Sequence, residues 1–316
     1  MQQPLQISSE FIEKHTDFLE LTRALQEGFA NKKMLVPKRH HHDFPNPITQ
    51  KDTTLLLMPA WNPGNEAGVK VVTVNPGNDK FDLPSIQGSY LYLDAKTGVL
   101  KAIMDAKNLT AKRTAAASAL ASSFLSRENT ETMLMIGTGA LSVNLIRAHA
   151  AVRPIKKVFI WGRNQAKAEV LCQELSQDSF EICSVSSVAA CIGDVDLVSC
   201  ATLSETPLVL GEDLVHGQHI DLVGAYKPNM RESDDETIRR TSVFLDTRES
   251  GLKESGDIAI PLKHGLLKES DIIADLFDLC SEAVPGRTSE NEITLFKSVG
   301  HALEDLIAAS YYYSKL

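Results

Sequence analysis

The 316-residue sequence has no apolar run of about eighteen residues, the length a membrane-crossing helix needs, and no cationic start leading into an apolar stretch. Neither a span nor a secretory leader is expected, and the cytoplasm is the expected location. Bases are in deficit. The 32 Lys and Arg stand against 41 Asp and Glu, a formal net charge of −9. Such a chain repels a polyanion, so nucleic acid is not an expected partner, and any anionic ligand needs a local basic pocket. The five cysteines, Cys172, Cys183, Cys191, Cys200 and Cys280, are odd in number and form no C-x-x-C; most sit in apolar runs. That argues for thiols in a reducing compartment rather than a disulfide framework. Repeats and low-complexity linkers are absent. The histidine triplet His40 to His42 is internal, and no metal site is assigned. What remains is an ordinary globular composition, 43% hydrophobic and 23% charged, long enough for one large or two moderate cores.

The pattern along the chain changes once. After an opening helix over residues 9–31 come β-type runs, "TTLLLMPAW", "GVKVVTV" and "SYLYLDAKTGVLKAIMDA", the last a hairpin turned at Lys96-Thr97-Gly98. From Thr132 strands alternate with helices: "TMLMIG", a helix from Ala140, "KKVFIWG", a helix over residues 165–177, "FEICSV", "VDLVSCAT", "GQHIDLVG" and "SVFLDT". Such alternation predicts a doubly wound parallel sheet. The alanine-rich helix "TAKRTAAASALASSFL" joins the two parts.

Residues 135 to 142, "MIGTGALS", follow an apolar strand and precede a helix, the context of the G-x-G-x-x-G turn that cradles a dinucleotide pyrophosphate. Gly137 permits the tight turn and Gly139 lets backbone approach the pyrophosphate, flanked by Thr138, Ala140 and Leu141. The helix N-terminus supplies free N–H groups. Ser142 replaces the third small residue and affects only helix-on-strand packing. The other reading is a glycine turn without a ligand. At the end of the second strand, "VFIWGRN", Arg163 and Asn164 stand where an NAD site places an acid for the ribose 2'-hydroxyl. That favours the 2'-phosphate of NADPH, with NADH use also allowed; Arg163 as a solvated loop charge is the alternative.

A second group is cationic. With Thr110 as N-cap, Lys112 and Arg113 fall in the first turn of the joining helix with no acid beside them. Either they form a solvated helix start, or they make an anion site in which arginine's planar fork grips a carboxylate. Lys70 shares a strand face with Val72 and Val74, which fits edge protection as well as it fits a ligand. Arg39, in "VPKRHHHDF" before the first strands, is uninformative alone. The acidic run "RESDDE" reads as a solvated helix start, His301 as structural, and Tyr311 to Tyr313 as packing or dimer surface.

The segments "LTAKRTAAASALA", "MIGTGALSVNLI", "VFIWGRN", "VGAYKPNMRESD" and "LFKSVGHALEDL" resemble, in order and spacing, the ornithine cyclodeaminase and mu-crystallin family over nearly the whole chain. The resemblance implies an α/β homodimer. Each subunit would place a Rossmann-type NAD(P)-binding domain, residues 115–298, inside an α+β substrate and dimerisation domain, residues 1–114 with 299–316. It also implies that Arg39, Lys70 and Arg113 hold a substrate carboxylate. Ala201, Thr202, Val223 and Gly224 would line the cofactor cleft, and Ser298 would start the last helix near the nicotinamide.

Two departures separate the family's activities. Tyr226 stands where cyclodeaminases carry the aspartate of their "GGD-x-P" turn, and Leu56 where they carry a second acid. A diamine's distal ammonium would then be buried without a partner, which is costly. The chain is therefore most similar to the family's ketimine reductases. The expected substrate is a cyclic imino acid, 1-pyrroline-2-carboxylate reduced to L-proline or 1-piperideine-2-carboxylate reduced to pipecolate, with hydride delivered to C2. Lys70 or a bound water would protonate the imine nitrogen. Ornithine cyclisation, alanine-type dehydrogenation and non-catalytic NADPH-dependent binding of a carboxylated aromatic ligand are the alternatives.

Overall fold

The computed structural model describes residues 3–316. Its internal contacts divide the chain into two units, one of the residues up to Arg113 together with Ala302–Leu316, the other of Thr114–His301.

The first unit contains β1 (Leu5–Ile7), α1 (Ser9–Lys14), α2 (Phe18–Ala30), β2 (His40–Asn46), β3 (Lys51–Asn62), β4 (Glu66–Val74), β5 (Ile86–Asp94), β6 (Leu100–Asp105) and the start of α3 (Ala106–Leu125). The single opening helix expected over residues 9–31 is two helices. The Asp17 carboxylate accepts from the N–H groups of Leu19 and Glu20, which caps a new helix and requires Asp17 itself to leave helical geometry. The six strands form one sheet in the order β1-β6-β5-β4-β3-β2, antiparallel except for β1 with β6. The segment "VPKRHHHDF", expected before the first strands, supplies the exposed edge strand β2. Lys70 on β4 lies between Met58 on β3 and Tyr90 on β5. All three are buried, so Lys70 stands on the covered face of the sheet. The opposite face presents Leu57, Pro59, Val69, Val71, Leu91 and Leu93, all half-buried.

The second unit contains β7 (Thr132–Ile136), α4 (Ser142–Val152), β8 (Lys157–Trp161), α5 (Gln165–Glu174), β9 (Glu181–Ser184), β10 (Leu197–Cys200), β11 (His219–Leu222), α6 (Asp235–Arg240), β12 (Ser242–Leu245), α7 (Arg248–Glu254), α8 (Gly256–Lys263), β13 (Ile272–Asp275), α9 (Leu276–Cys280) and β14 (Thr294–Lys297). Its eight strands are all parallel, in the order β13-β12-β14-β11-β10-β7-β8-β9. The strand cores are continuous apolar runs, as expected of a sheet covered on both faces. With β8 on one side of β7 and β10 on the other, the strand order reverses at β7, the place where such sheets bind nucleotides beyond their carboxyl ends.

The chain ends in α10 (Ala302–Tyr313), which packs on α2 and across β3, β4 and β5. The Tyr311 hydroxyl accepts from the Asp17 N–H, and the Tyr312 hydroxyl is 2.8 Å from Thr16 Oγ1, so the tyrosine run serves packing within the first unit. All five cysteines are free thiols, with Cys172 and Cys183 half-buried and the other three buried. No helix of the described residues is long and apolar enough to cross a membrane.

Candidate active site

The turn after β7 has the shape its glycines imply. Gly137 adopts φ +122°, a region that favours glycine, and a β-carbon there would lie 2.6 Å from the Ala201 carbonyl oxygen. Gly139 differs. A β-carbon on it would meet nothing within 4 Å and its φ is not positive, so neither packing nor backbone geometry inside the chain requires glycine at this place. Close approach of a ligand to the backbone at this place, as in a dinucleotide turn, is compatible with that open space. Ser142 begins α4, is fully buried, and its Oγ donates to the Gly137 carbonyl at 3.0 Å. Its role therefore exceeds the packing expected of it, because it ties the helix start to the turn. The first turn of α4 carries no acid and no side-chain cap; the Ser142 N–H donates to the Gly139 carbonyl, and the positive dipole end is open to an anion. These features fit a dinucleotide held by Gly137, Thr138, Gly139, Ala140 and Leu141.

Arg163 follows β8 and is exposed. Asn164 caps α5, its side-chain oxygen accepting from the Lys167 N–H at 3.3 Å. Ala201 and Thr202 follow β10, Val223 and Gly224 follow β11, and Ser298 follows β14, so the residues assigned to the cofactor lie along one carboxyl edge of adjacent parallel strands. Ser298 does not start the last helix, which begins at Ala302. Its hydroxyl instead joins the Val299 and Gly300 N–H groups on the carboxylate oxygen Oδ2 of Asp246.

A buried carboxylate braces two of these strand ends. Glu232 Oε1 accepts from the Thr202 N–H and hydroxyl, and Oε2 from the N–H groups of Gly224 and Ala225. Lys297 Nζ lies 3.6 Å from Glu232 and 3.2 Å from Asp257. Burial, opposed by the Lys297 charge, holds the Glu232 carboxyl above its ordinary value. Lys297 is held above its own ordinary value because Asp257 and Glu232 together outweigh burial. "RESDDE" is therefore only in part a solvated helix start. Asp234 caps α6 as such a start would, but Glu232 and Ser233 are fully buried.

The cations of the first unit are arranged otherwise than the sequence suggests. Thr110 is not an N-cap. The helix α3 begins at Ala106, with the Asp105 carboxylate accepting from the Asn108 N–H, so Lys112 and Arg113 lie in its second turn and the helix dipole plays no part. Both are buried, and acids accompany them. Lys112 pairs with Glu13 at 2.8 Å and lies over the Phe18 ring. Arg113 donates through Nε to Asp305 Oδ1 at 2.9 Å and through Nη1 to Glu304 at 2.5 Å. Lys70 donates to the same Asp305 Oδ1 at 3.0 Å, with Oδ2 at 2.9 Å and Thr110 Oγ1 at 3.4 Å. Arg39, half-buried, is near enough for its charge to act on Lys70.

Lys70, Arg113, Asp305 and Glu304 thus form a buried set whose formal charges cancel. Burial pushes the Lys70 ammonium down to about 8; Asp305 opposes the shift, while Arg113 and Arg39 add to it. Burial alone would raise the Asp305 carboxyl, but Lys70 and Arg113 hold it below its ordinary value. Arg113 stays above its ordinary value because Asp305 and Glu304 outweigh burial, so it is always charged. Leu56 lies two residues along β3 from Met58, on the covered face that holds Lys70, and puts a half-buried apolar side chain there. Tyr226 is 42% exposed.

Fold and site together define an α/β protein with a dinucleotide-type strand-to-helix turn in one unit and a buried cluster of Lys70, Arg113, Asp305 and Glu304 in the other. A sequence model of the ornithine cyclodeaminase/mu-crystallin family matches residues 3–316. The Delta(1)-pyrroline-2-carboxylate reductase of Colwellia psychrerythraea is 36% identical over 313 residues, covering 98% of each chain. The structure of the Thermococcus litoralis Delta(1)-pyrroline-2-carboxylate reductase in complex with NADH and L-proline is similar at TM-score 0.90 and 34% identity, over 98% of this chain and 97% of that one. An archaeal alanine dehydrogenase dimer with bound NAD is similar at TM-score 0.89 and 26% identity, over 98% and 95% of the two chains. The chain belongs to the ornithine cyclodeaminase/mu-crystallin family.

Proposed function

We propose that the protein is an NAD(P)H-dependent reductase of cyclic imino acids, converting 1-pyrroline-2-carboxylate to L-proline and its six-membered homologue to pipecolate. The observation that carries this reading is the buried Lys70–Arg113 pair with Leu56 on the Lys70 face. A ring carboxylate can share Lys70 and Arg113 with Asp305 and Glu304, whereas Leu56 puts an apolar side chain, not an acid, on the face where a second ammonium would need one. The relatives named for this reaction support the same substrate class.

In this proposal Arg113, Lys70 and Arg39 fix the ring carboxylate, and bound NAD(P)H supplies hydride to the imine carbon. Holding the acid in one orientation contributes several of the kcal/mol that catalysis needs. Lys70, an acid brought to about pH 8, is suited to protonating the imine nitrogen near neutral pH, with a water held by the chain as the other donor. Arg163 and the absence of an acid after β8 support NADPH over NADH. The half-buried apolar face formed by Leu57, Pro59, Val69, Val71, Leu91 and Leu93 supports a homodimer joined through this sheet. The unbridged cysteines support a reducing compartment.

Oxidation of NADPH and NADH by pyrroline and piperideine carboxylates tests the reading, with ornithine and with pyruvate plus ammonium as controls. Turnover of the cyclic imines alone is the expected result. Proline and ammonia from ornithine without net cofactor use, or ammonium-dependent turnover of pyruvate, would replace it with a sister activity.

A further inference from the structure

We infer that Asp305 is the positioning residue of the carboxylate grip, the group that sets Lys70 and Arg113 at one spacing and turns both toward a common ligand. This rests on the imino-acid reading above. Oδ1 accepts from Lys70 Nζ at 3.0 Å and from Arg113 Nε at 2.9 Å, with Oδ2 2.9 Å from the same Lys70 Nζ, so two cations from different elements, β4 and α3, are referred to one carboxylate on α10. Glu304, the preceding residue, takes Arg113 Nη1. With Nε and Nη1 held by the two acids, the guanidinium plane is fixed and its Nη2 edge is the part these acids leave for a ligand. Without Asp305, two positive groups would share a buried space with no common counter-charge, and each would move or lose charge.

The alternative is an ion pair that only fastens α10 to the sheet. The two roles differ in their effect on Lys70. The charged and titratable groups facing Lys70 are Asp305 from α10, Arg113 from α3, Arg39 from the segment before β2, and Tyr90 across the sheet on β5, while Glu304 faces Arg113. Asp305 is the foremost of these in favouring the ammonium, whereas Arg113 and Arg39 oppose it. Anion binding by wild type should therefore weaken as pH rises through about 8, and replacement of Asp305 should start that weakening at lower pH.

The experiment measures inhibition of imine reduction by pyrrole-2-carboxylate, a flat ring acid whose nitrogen does not titrate in this range, from pH 6 to 9.5 at saturating NADPH. Asp305→Asn should weaken inhibition about tenfold or more at pH 7.5 and move the alkaline limb down by about one pH unit or more, with NADPH affinity unchanged. Asp305→Glu should restore the limb toward wild type. Glu304→Gln, which leaves the Asp305 bridge in place, should weaken inhibition without moving the limb. An Asp305→Asn protein with the wild-type limb overturns the inference. Should that variant not fold, wild type and Asp305→Glu decide it, because a wild-type profile flat between pH 7 and 9.5 overturns it equally. Failure of wild type to reduce the imine at all would instead remove the underlying reading.

Discussion

Ser142 Oγ donates to the Gly137 carbonyl at 3.0 Å, joining the first residue of α4 to the turn that ends β7. The serine at the third motif position thus does in hydrogen bonding what a glycine there does in close packing. Ser142→Ala removes a buried bond worth about 1 kcal/mol, and NADPH affinity should fall about fivefold in a fluorescence titration. Unchanged affinity would show that the turn holds its shape without the hydroxyl.

Gly139 offers a sharper contrast. Its side-chain space is empty of protein atoms, so Gly139→Ala should leave the melting temperature unchanged or slightly raised. NADPH affinity should nevertheless drop about tenfold or more, because the added methyl occupies the approach of the pyrophosphate. Equal affinity with equal stability would mean that no dinucleotide passes there.

Arg163 decides between the two cofactors in this account. Arg163→Ala should lower the ratio of kcat/KM for NADPH to that for NADH by about tenfold or more, the scale of a charge-assisted hydrogen bond to phosphate. An unaltered ratio would return Arg163 to a loop charge.

Acid should weaken the second unit. His219, fully buried with Nδ1 at 2.9 Å from Thr294 Oγ1, is held neutral; burial pushes its imidazole down to about 3, against the opposing charge of Asp221. The unfolded chain binds that proton near pH 6.5, so the stability is complete above 6.5 and falls by about 1.4 kcal/mol per pH unit toward 3. Asp221 adds to the loss at the acid end. Burial would raise its carboxyl, but His149 and Ser199 hold it below its ordinary value. Urea midpoints from pH 7.5 to 5 should decline, and His219→Gln should flatten the slope by about one proton. A slope unaffected by that change would place the titration elsewhere.

The alternating half of the chain was legible because hydrophobic period and glycine turns agree there, and β7, β8, β10, β11 and β12 lie where the apolar runs are. Strand β14 was not, although it is no shorter than β10, β11 or β12: in "TLFK" a lysine cuts the apolar run, and its central place comes from β11 and β12 on either side. Strand β2 escaped because a polar edge carries no alternation. In the site, Lys70 announced itself as a charge on an apolar face, but its acid partners did not. Their signal was present in "ALEDLIAASYYY", where two adjacent acids interrupt an otherwise apolar helix and so require buried cations. Glu232 was hidden among solvated acids, and nothing local marks it as the one whose backbone and side chain turn inward.

The most direct test of the grip is Arg113→Lys, which keeps a positive partner for Asp305 and Glu304 but loses the planar fork. The account predicts KM for 1-pyrroline-2-carboxylate raised about tenfold or more with NADPH affinity unchanged. Imine kinetics equal to wild type would contradict it.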